Sequence, residues 1–242
     1  MKVFPLSVEG SALHLDPSVY HHLVTVRRLR PLDPIEWVHD GQGYKGIISS
    51  LLSPNRLGVT AITKTPTHHP MVRWTILQAL PKGDKMSEII RGLGELGVHT
   101  VIPVLTKRCV SDGGGNKIER WQRIAESAAM QAQLPHIPVI QPVQPLKTAL
   151  DTPYSDTQYI CWESAHPMLS GPSHRPQHLT LLIGPEGGFD EDEVKMAHAC
   201  GYTILSLGPT VLRVERAGLV AMALITGWMA HAGFLPNTPP NR

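Results

Sequence analysis

The chain has 242 residues, of which 42% are hydrophobic and 17% are charged, so it can build a packed core and is not a disordered protein. The formal net charge of +2 comes from 22 basic and 20 acidic residues and does not indicate any class of partner. The three cysteines, Cys109, Cys161 and Cys200, have no short spacing, which predicts free thiols in a reducing cytosol and argues against a disulfide framework or a cysteine zinc site.

No membrane segment is expected. The N-terminus lacks the long apolar run of a signal peptide. The most apolar stretch, residues 217–235, contains three glycines and His231 and is better explained as a buried helix than as a membrane span. We therefore expect a soluble cytoplasmic protein.

Residues 1–70 are predicted to form a small β-rich domain. Asp16 and Pro17 have the residue types of a helix cap and a first helical position, and Asp40-Gly41-Gln42-Gly43 is typical of a hairpin turn. The sequence TPTHHP, residues 65–70, is a plausible linker. Strands are predicted over 3–4, 12–15, 35–39, 44–52 and 57–63.

Residues 71–242 alternate between predicted strands and helices, which indicates an α/β domain with a largely parallel sheet covered on both faces. Ligands of such sheets bind at the carboxyl ends of the strands. Helices are predicted from about 86 to Gly97, from a cap at Asn116, from a cap at Asp190 to a stop at Gly201, and over 217–235. Strands are predicted over 74–80, 101–105, 137–140, 158–162, 179–183 and 202–207.

Two glycine-rich loops follow consecutive predicted strands near the C-terminus, IGPEGG (183–188) and LGPTVLRVERAG (207–218). Neither has the glycine spacing of a dinucleotide-binding loop or the Lys-Ser/Thr ending of a phosphate-binding loop. Both bring bare backbone close to a neighbour. They are interpreted either as two walls of one ligand pocket or as two structural turns.

Three segments together resemble the uracil-N3 methyltransferases of small-subunit ribosomal RNA, a branch of the SPOUT methyltransferases. These segments are ALPKGDKMSEIIRGLGELGV (79–98), IGPEGGF (183–189) and LGPTVLRVERA (207–217). The resemblance covers nearly the whole chain. It extends to residues 1–70, which with His22, Arg28 and the Asp40-Gly41 turn are similar to the PUA-like RNA-binding barrel of that family.

The resemblance implies an architecture and a cofactor. The C-terminal domain, 71–242, would be a SPOUT domain that binds S-adenosylmethionine in a trefoil knot, and the chain would form a homodimer in which the helix 217–235 packs in the knot and at the interface. The cofactor would contact residues of the two loops: Ile183, Gly184, Glu186, Gly187, Leu207, Gly208, Leu212 and Ala217.

The resemblance also implies a reaction, methylation of N3 of one uridine in 16S ribosomal RNA. Uracil N3 carries a proton at neutral pH, so a carboxylate that removes it and a guanidinium that stabilises the anion would assist the transfer. We expect Glu215 and Arg213 to fill these catalytic roles, with Glu186 as the alternative carboxylate. The second loop departs from the family pattern, because Thr210 stands where the family has an arginine and Arg216 where it has a threonine.

Basic residues in both domains are candidates for contacts with RNA phosphates. A solvated surface is the alternative for each of them. No metal site is expected, because the adjacent pairs His21-His22 and His68-His69 seldom point at one ion. The expected partner is 16S ribosomal RNA or the small ribosomal subunit, contacted by Arg28, Arg30, Lys82, Lys85 and Arg108.

Two other functions stay open at this stage. One is a SPOUT enzyme that methylates a different RNA nucleotide. The other is an RNA-binding assembly factor without catalysis, which the departures at Thr210 and at residues 130–134 would explain, since only Gln131 there matches the family.

Overall fold

The computed structural model describes residues 2–65, 72–110, 117–164 and 171–235. The chain divides into two compact units, Met1–His69 with Gln133–His136 and Pro70–Ala132 with Ile137–Arg242. Most of the predicted linker, 66–70, and the predicted helix cap Asn116 lie outside the described residues.

The N-terminal unit is built on a mixed β-sheet. Its strands are β1 (Lys2–Val3), β2 (Ser7–Glu9), β3 (Ala12–His14), β4 (Pro34–His39), β5 (Gln42–Leu52) and β6 (Arg56–Thr65). They pair in the order β1-β4-β5-β6-β3-β2; β1 and β4 are parallel and the other pairs are antiparallel. Within the described residues the sheet is open at β1 and β2, so closure into the predicted PUA-like barrel is not confirmed.

Local sequence signals explain two features of this unit. The Asp16 carboxylate accepts a hydrogen bond from the backbone N–H of Ser18 and so caps helix α1 (Pro17–His21), which continues as a π-helical turn over His22–Val26. Asp40 and Gly41 have positive φ angles of 49° and 72°, as a type I′ turn between β4 and β5 requires. The helix cap is confirmed, and the turn is confirmed at Asp40-Gly41, whereas Gln42 and Gly43 of the predicted turn belong to β5.

The C-terminal unit contains a second sheet, with the strands β7 (Arg73–Ala79), β8 (Thr100–Leu105), β9 (Val139–Ile140), β10 (Gln144–Pro145), β11 (Thr157–Cys161), β12 (His178–Ile183) and β13 (Thr203–Leu205). Their order is β10-β8-β7-β12-β11-β13, and β9 pairs with Thr100 and Val101 at the start of β8. The strand pairs of this sheet are parallel, which confirms the predicted α/β fold. The helices are α2 (Lys85–Glu95), α3 (Lys117–Gln131), α4 (Leu146–Leu150), α5 (Glu191–Ala199) and α6 (Val214–His231).

Two hydrophobic layers cover the faces of this sheet. On one face, Ile76 and Leu181 pack with apolar residues of α2, α3 and α6. On the other face, Leu77 and Leu182 pack with apolar residues of α4 and α5. Consecutive residues of β7 and β12 thus point to opposite layers, which explains why these strands are continuous apolar runs.

Helix α6 begins earlier than the sequence pattern predicts. The prediction was 217–235, but the helix spans Val214–His231. Its cap position, Arg213, has no side-chain capping bond, so the usual signal for a helix start is missing. Glu215 and Arg216 therefore belong to the first helical turn and not to the preceding loop. Among the described residues, no helix combines the length and the hydropathy that a membrane span requires.

Candidate functional site

A cavity lies at the carboxyl ends of three neighbouring strands. Strand β11 lies between β12 and β13, and the register pairs Cys161 with Ile183 on one side and with Leu205 on the other. The chain leaves each strand at the same edge, so the three following loops and the start of α6 enclose one space. The lining residues are Cys161, Trp162, Glu163, Ile183, Gly184, Pro185, Glu186, Gly188, Phe189, Leu207, Gly208, Thr210, Val211, Leu212, Val214 and Ala217.

The structure brings together seven of the eight residues predicted to contact the cofactor. Ile183, Gly184 and Glu186 line the cavity from the first loop. Leu207, Gly208, Leu212 and Ala217 line it from the second loop and α6. The exception is Gly187, whose carbonyl accepts a hydrogen bond of 2.6 Å from Nη1 of Arg108.

Glu186 ties the first loop to the segment after β7. Its carboxylate accepts hydrogen bonds from the backbone N–H of Lys82 at 3.1 Å and from Nζ of Lys85 at 2.7 Å. Burial raises the pKa of Glu186, but these hydrogen bonds and the Lys85 charge lower it more, and the net pKa lies below the ordinary value. The carboxylate is thus a paired anion that fixes the loop.

A second anchor holds the far end of the same loop at helix α5. Asp190 and Glu193 form the predicted capping box, with Asp190 N–H donating to Glu193 Oε2 at 2.9 Å. Glu193 Oε1 also accepts a bond of 2.7 Å from the backbone N–H of Lys107, and Lys107 Nζ lies 2.9 Å from Asp190 Oδ1. The hydrogen bond from Lys107 to Asp190 raises the pKa of Lys107 and lowers the pKa of Asp190.

The two predicted catalytic residues differ sharply in exposure. The Arg213 side chain is 86% exposed, whereas that of Glu215 is 9% exposed, and Arg213 Nη1 lies 3.9 Å from Glu215 Oε1. Within the described residues, Glu215 Oε2 is buried without a hydrogen-bond partner. Neither side chain is among those that line the cavity, although their neighbours Leu212 and Val214 are.

Lys85 links these groups electrostatically. Its pKa is raised, first by the hydrogen bond to Glu186 and further by the charges of Glu186 and Glu215, while burial and the charge of Arg213 oppose the shift. Lys85, Glu186, Arg213 and Glu215 therefore form one mixed charge cluster beside the cavity.

The predicted RNA-binding residues are placed separately in the two units. Arg28 and Arg30 are exposed in the N-terminal unit, and Lys82 and Arg108 are exposed in the C-terminal unit. Lys85 is half-buried and paired with Glu186, so its charge is partly neutralised. Arg216, which replaces a threonine of the family pattern, pairs with Glu88 of α2 at 3.0 Å.

Several lining residues were not predicted from the sequence. Cys161, Trp162 and Glu163 come from the end of β11, which lies between two strands that follow it in the chain. That order is a tertiary property that no motif near residue 161 shows. Burial raises the pKa of the Cys161 thiol to about 12, so it is a neutral wall of the cavity at neutral pH.

Comparison with known proteins identifies the family. A family model described as an RNA methyltransferase domain matches residues 67–226. Ribosomal RNA small subunit methyltransferase E from Synechocystis sp. is 31% identical over 231 residues, covering 92% of this chain and 75% of that protein. This chain belongs to the ribosomal RNA small subunit methyltransferase E family. The Bacillus subtilis member is 30% identical over 221 residues, covering 85% of this chain and 86% of its own.

A solved member of the family has the same fold. The crystal structure of ribosomal RNA small subunit methyltransferase E from Neisseria gonorrhoeae, bound to S-adenosyl methionine, superposes with a TM-score of 0.83 at 26% identity. The match covers 94% of this chain and 97% of that one.

In the described ranges, no group of three or more His, Cys, Asp or Glu side chains is placed to hold a metal ion. The pair His68-His69 lies outside those ranges.

Proposed function

We propose that this protein transfers a methyl group from S-adenosylmethionine to N3 of a specific uridine in 16S ribosomal RNA. The observation that carries the proposal is the cavity at the ends of β11, β12 and β13, in a chain of the methyltransferase E family. The Neisseria gonorrhoeae member of this family is bound to S-adenosyl methionine, and we propose that the cavity of this chain binds the same cofactor.

The residues present suit such a cofactor. Ile183, Leu207 and Leu212 offer apolar surface for an adenine ring. Gly184 has no side chain, and an added Cβ there would lie 3.1 Å from the ring of Phe189, which also lines the cavity. The carboxylate of Glu163 supplies acceptors for hydroxyl or ammonium groups. When bound, S-adenosylmethionine supplies an electrophilic methyl group.

Glu215 is the proposed base and Arg213 the proposed anion stabiliser. Glu215 lies in the first turn of α6, next to the cavity-lining Val214, and one of its carboxylate oxygens has no partner among the described residues. We assign to this carboxylate the removal of the uracil N3 proton. The exposed Arg213 guanidinium, 3.9 Å from that carboxylate, can stabilise charge at the adjacent uracil carbonyl oxygens.

The substrate nucleotide must leave its base pair, because N3 lies on the Watson–Crick edge. We assign phosphate contacts to Arg28 and Arg30 in a PUA-like N-terminal RNA-binding domain, 1–70. We assign further contacts to Lys82, Lys85 and Arg108 in a SPOUT methyltransferase domain, 71–242. The exposure of four of these five side chains supports the assignment.

A trefoil knot and a homodimer belong to the same proposal. The loops after β12 and β13 and the start of α6 share one cavity, as a knotted SPOUT domain requires. Val211 is 86% exposed beside the cavity and Leu224 is 40% exposed on α6. Such apolar side chains suit an interface with a second copy. We also propose a cytoplasmic location, because the proposed substrate is ribosomal RNA.

One observation favours a second candidate, an assembly factor without catalysis. Thr210 lines the cavity at a position where the family pattern has an arginine, so a positive charge is missing there. Isothermal titration calorimetry with S-adenosylmethionine, followed by transfer of a labelled methyl group to purified small subunits lacking the modification, tests both candidates. Binding with transfer supports the proposed enzyme. Binding without transfer favours the assembly factor, and absence of binding contradicts the cofactor assignment.

A further inference from the structure

We propose that Glu163 is a recognition residue of the cofactor pocket, whose carboxylate accepts hydrogen bonds from the ribose hydroxyls or the α-ammonium group of S-adenosylmethionine. This inference rests on the proposed function and adds to it a residue that no sequence motif indicated.

The position of Glu163 follows from the sheet order. It is the second residue after Cys161, where β11 ends between β12 and β13. The loops that follow these two flanking strands form the other walls of the cavity, so the segment after β11 enters it between them. Glu163 lines the cavity together with residues of both glycine-rich loops.

The charge balance of the cavity singles out this carboxylate. The ionisable lining residues are Cys161, Glu163 and Glu186. Cys161 is neutral, because burial raises its pKa to about 12, and Glu186 is paired with Lys85 at 2.7 Å. Glu163 has no ion pair or hydrogen bond within the described part of the chain. A ligand that brings donors thus meets one unpaired anion.

The Glu163 carboxylate packs closely against Gly188 of the first loop. Gly188 has a positive φ of 67°, and a Cβ added to it would collide with Glu163 Oε1 and lie 3.1 Å from Glu163 Cδ. The neighbouring Gly187 differs, because a Cβ there would lie 3.4 Å from the Arg108 side chain, an ordinary contact. Gly188 therefore leaves space for the Glu163 carboxylate at the cavity wall.

The ligand chemistry follows from the group itself. A carboxylate accepts several hydrogen bonds and donates none when ionised, so it suits a cis-diol or an ammonium group and repels an anion. S-adenosylhomocysteine carries both kinds of donor, whereas 5′-methylthioadenosine carries the ribose hydroxyls but no ammonium group. These two compounds separate the two sources of donors.

Isothermal titration calorimetry on the full chain tests the inference with both compounds, using wild type, Glu163→Gln and Glu163→Ala. We expect both substitutions to weaken S-adenosylhomocysteine binding by about ten-fold or more, the usual scale for a hydrogen bond to a charged group. If the affinity for 5′-methylthioadenosine falls by the same factor, Glu163 contacts the ribose hydroxyls. If that affinity is unchanged, Glu163 contacts the ammonium group. The control is Glu191→Gln, an exposed glutamate on α5 outside the cavity, which should leave both affinities unchanged.

The experiment distinguishes a failure of the inference about Glu163 from a failure of the proposed function. If wild type binds S-adenosylhomocysteine and both Glu163 variants bind both compounds with wild-type affinity, the inference about Glu163 is wrong while the proposed function stands. If wild type binds neither compound, the proposed function fails and the inference fails with it. Thermal unfolding of each variant verifies that a loss of affinity belongs to the pocket and not to misfolding.

Discussion

Glu186 acts as a tether between two loops and not as a free carboxylate. It bridges the loop after β12 and the segment after β7 through Lys82 and Lys85. Replacing Lys85 with Met removes the ion pair but leaves the backbone bond from Lys82. We expect Lys85→Met to lower the melting temperature modestly and to weaken S-adenosylhomocysteine binding several-fold, because the loop that lines the cavity loses one anchor.

The pH dependence of this tether has a defined sign. The pKa of Glu186 is lowered from 4.5, so its contribution is complete above pH 4.5 and is lost as pH falls through the folded value. The pKa of Lys85 is raised from 10.5, so its contribution is complete below pH 10.5 and is lost as pH rises through the folded value. The difference in melting temperature between wild type and Lys85→Met should therefore be constant between roughly pH 6 and 9. A difference that changes across this range would contradict the assignment.

Glu215 is the residue on which the proposed chemistry depends. Glu215→Gln keeps the size of the side chain but cannot accept the N3 proton, so we expect methyl transfer to fall by about 100-fold or more. Affinity for S-adenosylmethionine, measured by calorimetry, should stay near the wild-type value, because Glu215 does not line the cavity. Wild-type turnover in this variant would exclude Glu215 as the base.

The Cys161 thiol should react slowly with alkylating reagents although it lines the cavity. Burial raises the pKa of its thiol to about 12, so almost no thiolate is present at neutral pH. We expect iodoacetamide to label the half-buried Cys109 and Cys200 before Cys161, as read by peptide mass spectrometry. Labelling of Cys161 first would contradict its burial.

At the scale of elements, the start of helix α5 is a junction between the sheet and the cavity loop. The buried Glu193 carboxylate accepts bonds from the backbone N–H groups of Lys107 and Asp190. Glu193→Ala leaves both donors unsatisfied, so we expect a loss of about 2–3 kcal/mol in the free energy of unfolding. Urea denaturation measures this, with the exposed Glu191→Ala as the matched control, expected within about 0.5 kcal/mol of wild type. Equal effects of the two substitutions would contradict the junction.

Elements whose signals are local were predictable from the sequence. The Asp16 cap, the Asp40-Gly41 turn and the Asp190 capping box each depend on residues within four positions of one another. The start of α6 was not predictable in this way, because Arg213 at its cap position makes no side-chain capping bond.

The cavity was only half predictable for a similar reason. The two glycine-rich loops are visible as motifs, but Glu163 enters the cavity because β11 pairs with strands that come later in the chain. The direction of Glu186 likewise depends on Lys82 and Lys85, about 100 residues away in the sequence.

At the scale of the whole molecule, the proposed function requires binding to a polyanion. The logarithm of the association constant for small ribosomal subunits should fall linearly with the logarithm of the salt concentration, with a slope set by the number of phosphate contacts. The double substitution Arg28→Gln and Arg30→Gln should reduce that slope by about 1 to 2, because two exposed guanidinium groups no longer displace counterions. The control is Lys195→Gln, which should leave the slope unchanged. In the wild type, the ammonium group of Lys195 lies 3.9 Å from Glu191 Oε2. Binding that is insensitive to salt would contradict the phosphate contacts.

The central claim is that this chain methylates N3 of one uridine in 16S ribosomal RNA. The most direct test incubates the wild-type protein and S-adenosylmethionine with purified small subunits that lack the modification, and maps the product by mass spectrometry of RNA fragments and nucleosides. We predict one new methyl group, on N3 of a single uridine, and its loss when Glu215→Gln replaces wild type. A methyl group on another nucleotide, or none despite measured cofactor binding, would contradict the claim.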